Sequence, residues 1–347
     1  MDYAGKNFFK FRYPVNRPLA DEEYANRYRQ KTTRNAPPMD FLSVVKLNSS
    51  YIELVDRWYP VTGFAVWLGS AGVLMGAAVI ALVVWALFNA PISAGERWAG
   101  LLILTPMAAA LAAAGVFMVR VDAFRWTHYP MRLNRKTRQV HVFRQDGTAL
   151  TVPWDELFIT LGKARAPVTD TTYDLRAHVL EPDGKTVHES FTLGYPSLLG
   201  NAESVDKFWA FLQPYMEAPD GVEQTHRHLK DVGFLAPLDG RKEGWRWSIA
   251  RSFMLAAHWP WLQFLGSPFL GLNAVGRMFA MATSKQPVWP TEIEAANTIE
   301  TDDPYQLTWR DNDSLGWWEL WYPLICTTLG VGTFVGVIVA MFLTMGD

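Results

Sequence analysis

Two long uncharged runs set the terms for everything else in this chain. No charged residue occurs between Trp58 and Gly95, and after Glu96 and Arg97 the stretch Trp98 to Val119 is again uncharged, ending at Arg120. A helix rises about 1.5 Å per residue, so roughly 20 apolar residues cross a hydrocarbon core about 30 Å thick. Both runs reach that length. In lipid every backbone amide must pair within its own segment, which makes helix the form expected of each. Residues 58–120 therefore read as a transmembrane helical hairpin.

Composition agrees with a membrane protein carrying a soluble portion: 50% of the 347 residues are hydrophobic and 16 are Trp. The single cysteine, Cys326, lies in a third apolar run and can form no intramolecular disulfide. The first fifty-odd residues are polar, with Pro14, Pro18, Pro37 and Pro38, and resemble no secretory signal. Residues 1–57 are expected to be a cytoplasmic N-terminal segment, in part a tail or strap, with aromatic spots at Phe8-Phe9, Tyr24 and Tyr28. The S-x-x-E spacing from Ser50 to Glu53 predicts a short helix running into the first span.

Lysine and arginine near the span ends set the orientation. Lys46 and Arg57 precede the first span; Arg120, Arg125, Arg132, Arg135, Lys136, Arg138 and Arg144 follow the second. The connecting turn, 89–97, holds only Arg97, offset by Glu96. Both flanks are expected on the cytoplasmic side, with the 89–97 turn facing the other side of the membrane. Gly72-x-x-x-Gly76 and the alanine-rich stretch 108–114 offer close-packing surfaces, either within the hairpin or between copies.

From Tyr129 the pattern changes to period two. Met131–Asn134, Val140–Arg144 around a turn at 135–137, Ala149–Val152 after an Asp146-Gly147 turn, Leu157–Leu161, Tyr173–Leu180 and Thr186–Leu193 read as antiparallel strands. An amphipathic helix follows over 202–216, with Val205, Phe208, Trp209, Leu212 and Tyr215 on one stripe. Strands closed by one such helix over 121–220 resemble a pleckstrin-homology-like domain. A plain antiparallel sheet with a helix on one face is the alternative. The fold class expected is thus an α+β membrane protein.

The remainder, 221–319, joins a basic linker to a stretch, 252–276, that is uncharged with His258 neutral but is broken by Pro260 and Pro268. It reads as two interfacial helices carrying Trp259 and Trp261, with a span as the alternative. The acidic segment after Gln286 contains Trp289 and Trp309. Residues 320–347 form a third, C-terminal span behind Trp317, Trp318, Trp321 and Tyr322, with Gly332-x-x-x-Gly336 as a further small-residue face. A homo-oligomer would use Gly72, Gly76, Gly332 and Gly336.

No signature of catalysis is readable. Gly330 to Gly336 misses dinucleotide spacing; Asp311 to Gly316 starts like a calcium loop but places Leu315 where an oxygen ligand belongs. His226-Arg227-His228 lacks the carboxylate or cysteine that would complete a metal set. His178 and His188 read as ordinary surface neighbours across a hairpin. Neither Asp nor Glu interrupts the spans, which argues against ion or proton transport. The chain is expected to be no enzyme, to need no cofactor and to bind no nucleic acid. Candidate binding residues are the basic Arg132, Arg135, Lys136 and Arg138 for lipid headgroups, and Trp259, Trp261, Trp289 and Trp309 for a protein partner.

Four stretches carry a family resemblance: Tyr129-Pro130-Met131-Arg132-Leu133-Asn134-Arg135, Val152-Pro153-Trp154-Asp155, Arg277-Met278-Phe279-Ala280-Met281-Ala282-Thr283-Ser284 and Pro287-Val288-Trp289-Pro290-Thr291-Glu292-Ile293-Glu294. Across roughly Leu47 to Tyr305 the chain resembles a family of bacterial inner-membrane proteins, a domain of unknown function, found in proteobacteria near type VI secretion effector genes. The resemblance implies an immunity or effector-loading accessory protein and carries over no functional residues. The competing expectation is an envelope regulatory protein whose sheet domain binds lipid headgroups or a membrane partner.

Overall fold

The computed structural model describes residues 13–164, 172–197, 201–254 and 259–344; the Phe8-Phe9 pair and His258 lie outside them. The chain forms two compact units. The first takes the chain up to Tyr59, then Trp126–Glu243 and Gln286–Ser314; the second takes Pro60–Arg125, Gly244–Lys285 and the chain from Leu315 onward. The sheet unit is thus wider than the 121–220 stretch expected, because strands before the hairpin and a segment after Lys285 belong to it.

The described residues of the first unit form ten strands: β1 (Arg17–Pro18), β2 (Arg27–Tyr28), β3 (Val44–Leu47), β4 (Tyr51–Leu54), β5 (Met131–Asn134), β6 (Gln139–Phe143), β7 (Ala149–Pro153), β8 (Phe158–Ala164), β9 (Thr172–Leu180) and β10 (Thr186–Ser197). They form two antiparallel sheets, ordered β1-β10-β9-β8-β2 and β3-β4-β5-β6-β7. The alternation after Tyr129 placed all of β5 to β10. The expected helix at Ser50 is wrong. Asn48 Oδ1 accepts the N–H groups of Ser50 and Tyr51, turning the chain directly into β4. Ile52 and Leu54 then point into the core while Tyr51 and Glu53 point away, the period of a strand. Strand β4 pairs with β5 from Tyr51↔Asn134 to Leu54↔Met131. The apolar hairpin is therefore an insertion between two neighbouring strands.

Alternate positions of both sheets meet in one core. Ile52, Leu133, Val140 and Val142 from one sheet and Ile159, Leu175, Phe191 and Leu193 from the other surround the helix Ala202–Glu217. Asn201 caps that helix by accepting the Glu203 N–H at 2.8 Å. Its apolar stripe supplies Val205, Phe208, Trp209, Leu212 and Tyr215, and Trp209 stacks on Trp154 at 6.0 Å between ring centroids.

Among the described residues three helices are long and apolar enough to cross a membrane: Tyr59–Asn89, Ala94–Asp122 and Trp317–Met341. The turn in the hairpin is shorter than expected. Ser93 accepts the Glu96 N–H while Glu96 accepts the Ser93 N–H at 2.7 Å, so Glu96 and Arg97 already sit inside a helix. Gly72 and Gly76 face the other arm of the hairpin: a Cβ at Gly76 would stand 2.5 Å from the Ala108 carbonyl oxygen. Around Gly332 and Gly336 a Cβ would meet nothing within 4 Å. The proline-broken stretch forms the helices Trp245–Met254, Pro260–Leu265 and Ser267–Thr283. The last of these packs on the third apolar helix, whose Gly330 lies against the Ser267 carbonyl.

Gly76→Val forces the two hairpin arms apart, and overpacking of this kind costs about 1–3 kcal/mol. Gly336→Val meets open space. Thermal unfolding of the purified protein in detergent is expected to show a lower midpoint for the first variant and an unchanged one for the second.

Candidate functional site

The face of each sheet that points away from the core is polar in sequence, yet it too is buried. On the β3–β7 sheet this face carries Glu53, Arg132, Asn134 and His141. Residues 286–297 cover it as a strap. Trp289 and Ile293 join Tyr129 and Phe143 in a small apolar cluster, with the Trp289 ring edge-on to Phe143 at 5.7 Å. Arg132, 5% exposed, donates to Glu53 at 2.5 Å and to Glu294 at 2.9 Å, and its guanidinium lies over the Tyr51 and Trp289 rings. Trp289 Nε1 donates to Glu53 as well, and Asn134 donates to Asn297. Burial works against the Arg132 charge, but Glu53 and Glu294 more than offset it and hold the guanidinium protonated.

The other sheet buries a second polar layer under the N-terminal residues. Asp174, wholly enclosed, accepts from Arg176 at 3.1 and 2.9 Å, from Arg57 at 3.2 Å and from Tyr13 at 3.1 Å. Burial pushes its carboxyl up, yet the two guanidinium groups bring it below the ordinary carboxylate range. Gly162 makes room for this group, since a Cβ there would stand 2.3 Å from Asp174 Oδ1. Beside it Ser190 Oγ, His178 and Glu23 lie in a row, with Ser190 Oγ 2.6 Å from Nδ1 and Glu23 Oε1 3.2 Å from Nε2. Serine, histidine and carboxylate in line have the order of a hydrolase triad. Ser190 and His178 are both fully buried, with no exposed nucleophile to meet a substrate. This overturns the surface reading of His178; only His188 is exposed, paired with Glu181 at 2.7 Å.

The basic residues expected at headgroups all have partners inside the first unit. Arg135 donates to the carbonyls of Tyr215 and Ala218, closing the end of the helix Ala202–Glu217. Lys136 pairs with Glu300, and Arg138 spans Asp155 and Glu217. Trp289 is buried under the strap. Trp309 is half-buried, with Arg241 and Arg310 against its ring. In the second unit Trp259 and Trp261 stand exposed, 5.8 Å apart, beside exposed Leu262, Phe264, Leu265 and Phe269.

The structure thus leaves two kinds of surface for binding: the apolar Trp259–Phe269 patch, and the exposed carboxylates Glu292 and Asp302 after Gln286. A cleft of about 390 Å³ is lined by Arg34, Pro37, Glu203 and Asp206, among others, but its charges are already met: Arg34 lies 3.6 Å from Asp206, and Glu203 pairs with Lys207. Among the described residues no group of three or more His, Cys, Asp and Glu could hold a metal ion. The strap and the Arg132 pocket had a sequence signal, the Pro287–Glu294 stretch, but nothing local showed where it docks.

Arg132→Met leaves Glu53 buried without its cation and is expected to cost about 3–5 kcal/mol; Glu294→Gln, at the exposed end of the same pair, costs under about 1 kcal/mol. Chemical unfolding in detergent separates them. The buried histidines give a pH test. Burial, with Arg132 adding to it, lowers His141 from 6.5 to about 4, and burial alone lowers His128 to about 3. The unfolded chain takes up these protons near pH 6.5 while the native state does not, so stability falls as pH drops from about 6.5 towards 4. His141→Gln is expected to flatten that dependence.

No curated protein and no solved structure matches the chain. The model of a family of unknown function, DUF6708, matches residues 108–301, from within the second apolar helix to the strap over Arg132. With more than half of its length matched, the chain belongs to the DUF6708 family.

Proposed function

We propose that this chain is a multi-pass protein of the bacterial inner membrane that holds its sheet unit on the cytoplasmic side and acts by binding another protein. The observation that carries the anchoring is the surface of the three apolar helices: Leu74, Trp85, Phe88, Leu102, Phe117, Val335 and Met341 are all exposed. Lipid is the solvent such faces fit. The excess of Lys and Arg on both flanks of the hairpin supports a cytoplasmic sheet unit, and three spans then put the far end of the chain across the membrane. The exposed aromatic patch from Trp259 to Phe269 suits a position in the interface.

The pleckstrin-homology-like reading of the sheet unit is supported by its two antiparallel meanders, β3 to β7 and β8 to β10, followed by one helix that packs in the core. The binding role rests on the exposed carboxylates after Gln286, which suit a basic partner surface. The resemblance to inner-membrane proteins encoded beside type VI secretion effectors makes an immunity or loading accessory role the specific form of the proposal.

Two measurements test it. Cys326 is buried, so cysteines introduced at Asp146 and Ile92 report topology by labelling. The first should react only in permeabilised cells and the second in intact spheroplasts; the reverse pattern overturns the orientation. Co-expression with the neighbouring effector in a sensitive strain should give protection or co-purification. Absence of both removes the effector role.

A further inference from the structure

Several arginines of the sheet unit are paired with carboxylates at hydrogen-bond distance, among them Arg57, Arg132, Arg138 and Arg176; those around Trp309 are held differently. Trp309 donates its indole N–H to the Asp239 carbonyl at 3.1 Å. The guanidinium carbons of Arg241 and Arg310 stand 4.4 and 4.7 Å from the centroid of the same indole ring. Arg241 donates Nε to the Lys242 carbonyl at 3.2 Å, and its two Nη groups have no hydrogen-bond partner among the described residues. Arg310, two-thirds exposed, has one carboxylate nearby, Asp239 Oδ2 at 3.9 Å. Asp239 Oδ1 is held by Lys46 at 3.3 Å. One carboxylate therefore serves Lys46 and Arg310, while Arg241 has none. The neighbouring acids are occupied: Asp311 accepts the Thr308 N–H, and buried Glu243 accepts the Tyr59 hydroxyl.

A guanidinium stacked on an indole keeps its in-plane N–H donors free, and a fork of such donors matches the oxygens of a phosphate. Contact with the indole restrains both guanidinium groups near one ring. Along the chain, Arg241 lies four residues before Trp245 and Trp309 eight before Trp317, where the third apolar helix opens. Tryptophan and arginine close to a span are the residues that meet headgroups.

We propose that Arg241 and Arg310, held against Trp309, bind the phosphate of an anionic lipid headgroup. This rests on the reading of the chain as membrane-anchored. It moves the headgroup contact away from Arg132, Arg135, Lys136 and Arg138, whose cations are already paired.

The test uses the full chain in neutral detergent, titrated with phosphatidylglycerol, with phosphatidylcholine of the same acyl chains, and with inorganic phosphate, and read by native mass spectrometry. The Arg241→Gln/Arg310→Gln variant should lose about tenfold in phosphatidylglycerol affinity and keep its phosphatidylcholine binding. Inorganic phosphate at equal concentration should not displace the lipid. Equal phosphatidylglycerol binding by variant and parent overturns the site, and displacement by inorganic phosphate overturns the lipid as its ligand. Should the double variant misfold, Arg310→Gln alone, altering a mostly exposed side chain, should show a smaller loss in the same direction, and no loss overturns the site. Failure of the parent chain to insert into bilayers removes the membrane reading itself; insertion without phosphatidylglycerol preference removes only this site.

Discussion

The pairing of β4 with β5 is the contact on which the sheet unit depends. It joins Leu54 to Met131 across the whole apolar hairpin, so one sheet is completed only when the chain returns from that excursion. Closing a loop of this length costs chain entropy that grows slowly with its size, and a hairpin already folded shortens the effective loop. The order of events this favours is hairpin first, sheet second. The remaining strands then add by short turns, such as the Asp146-Gly147 turn between β6 and β7.

The second general feature is that both faces of both sheets are buried. An antiparallel sheet with one wet face alternates apolar and polar residues, and β5, β6 and β9 do so. Here the polar face is covered as well, by the strap after Lys285 on one sheet and by the N-terminal residues on the other. Buried charge is tolerable only when paired and hydrogen-bonded. Arg132 between Glu53 and Glu294, and Asp174 between Arg57 and Arg176, meet that condition.

Which parts were legible in the sequence follows from the range of the forces involved. Strands β5 to β10 and the helix after Asn201 show their period over many residues, so local patterning located them. Strands β1 to β4 are two to four residues long and owe their existence to partners far along the chain, which no local window reveals. Ser50 and Glu53 have a capping spacing, but Asn48 takes the amides that a helix start would need filled. Trp289 looked like a surface aromatic because its cover, Phe143, and its acceptor, Glu53, are distant in sequence. Gly72 and Gly332 carry the same spacing motif and sit in opposite surroundings. In the Arg241–Trp309–Arg310 cluster only Trp309 stood out beforehand.

The edges of the sheets have a bearing on how many copies can share a surface. One sheet is bounded by β1 and β2, each two residues long, with Pro18 in β1. In the other, β3 is covered by the backbone of Leu307, and β7 ends in Pro153. Short, covered or proline-tipped edges are poor templates for a neighbour's strand. For a domain confined to two dimensions, where collisions between copies are frequent and orientation is partly aligned, such edges keep crowding from turning into aggregation.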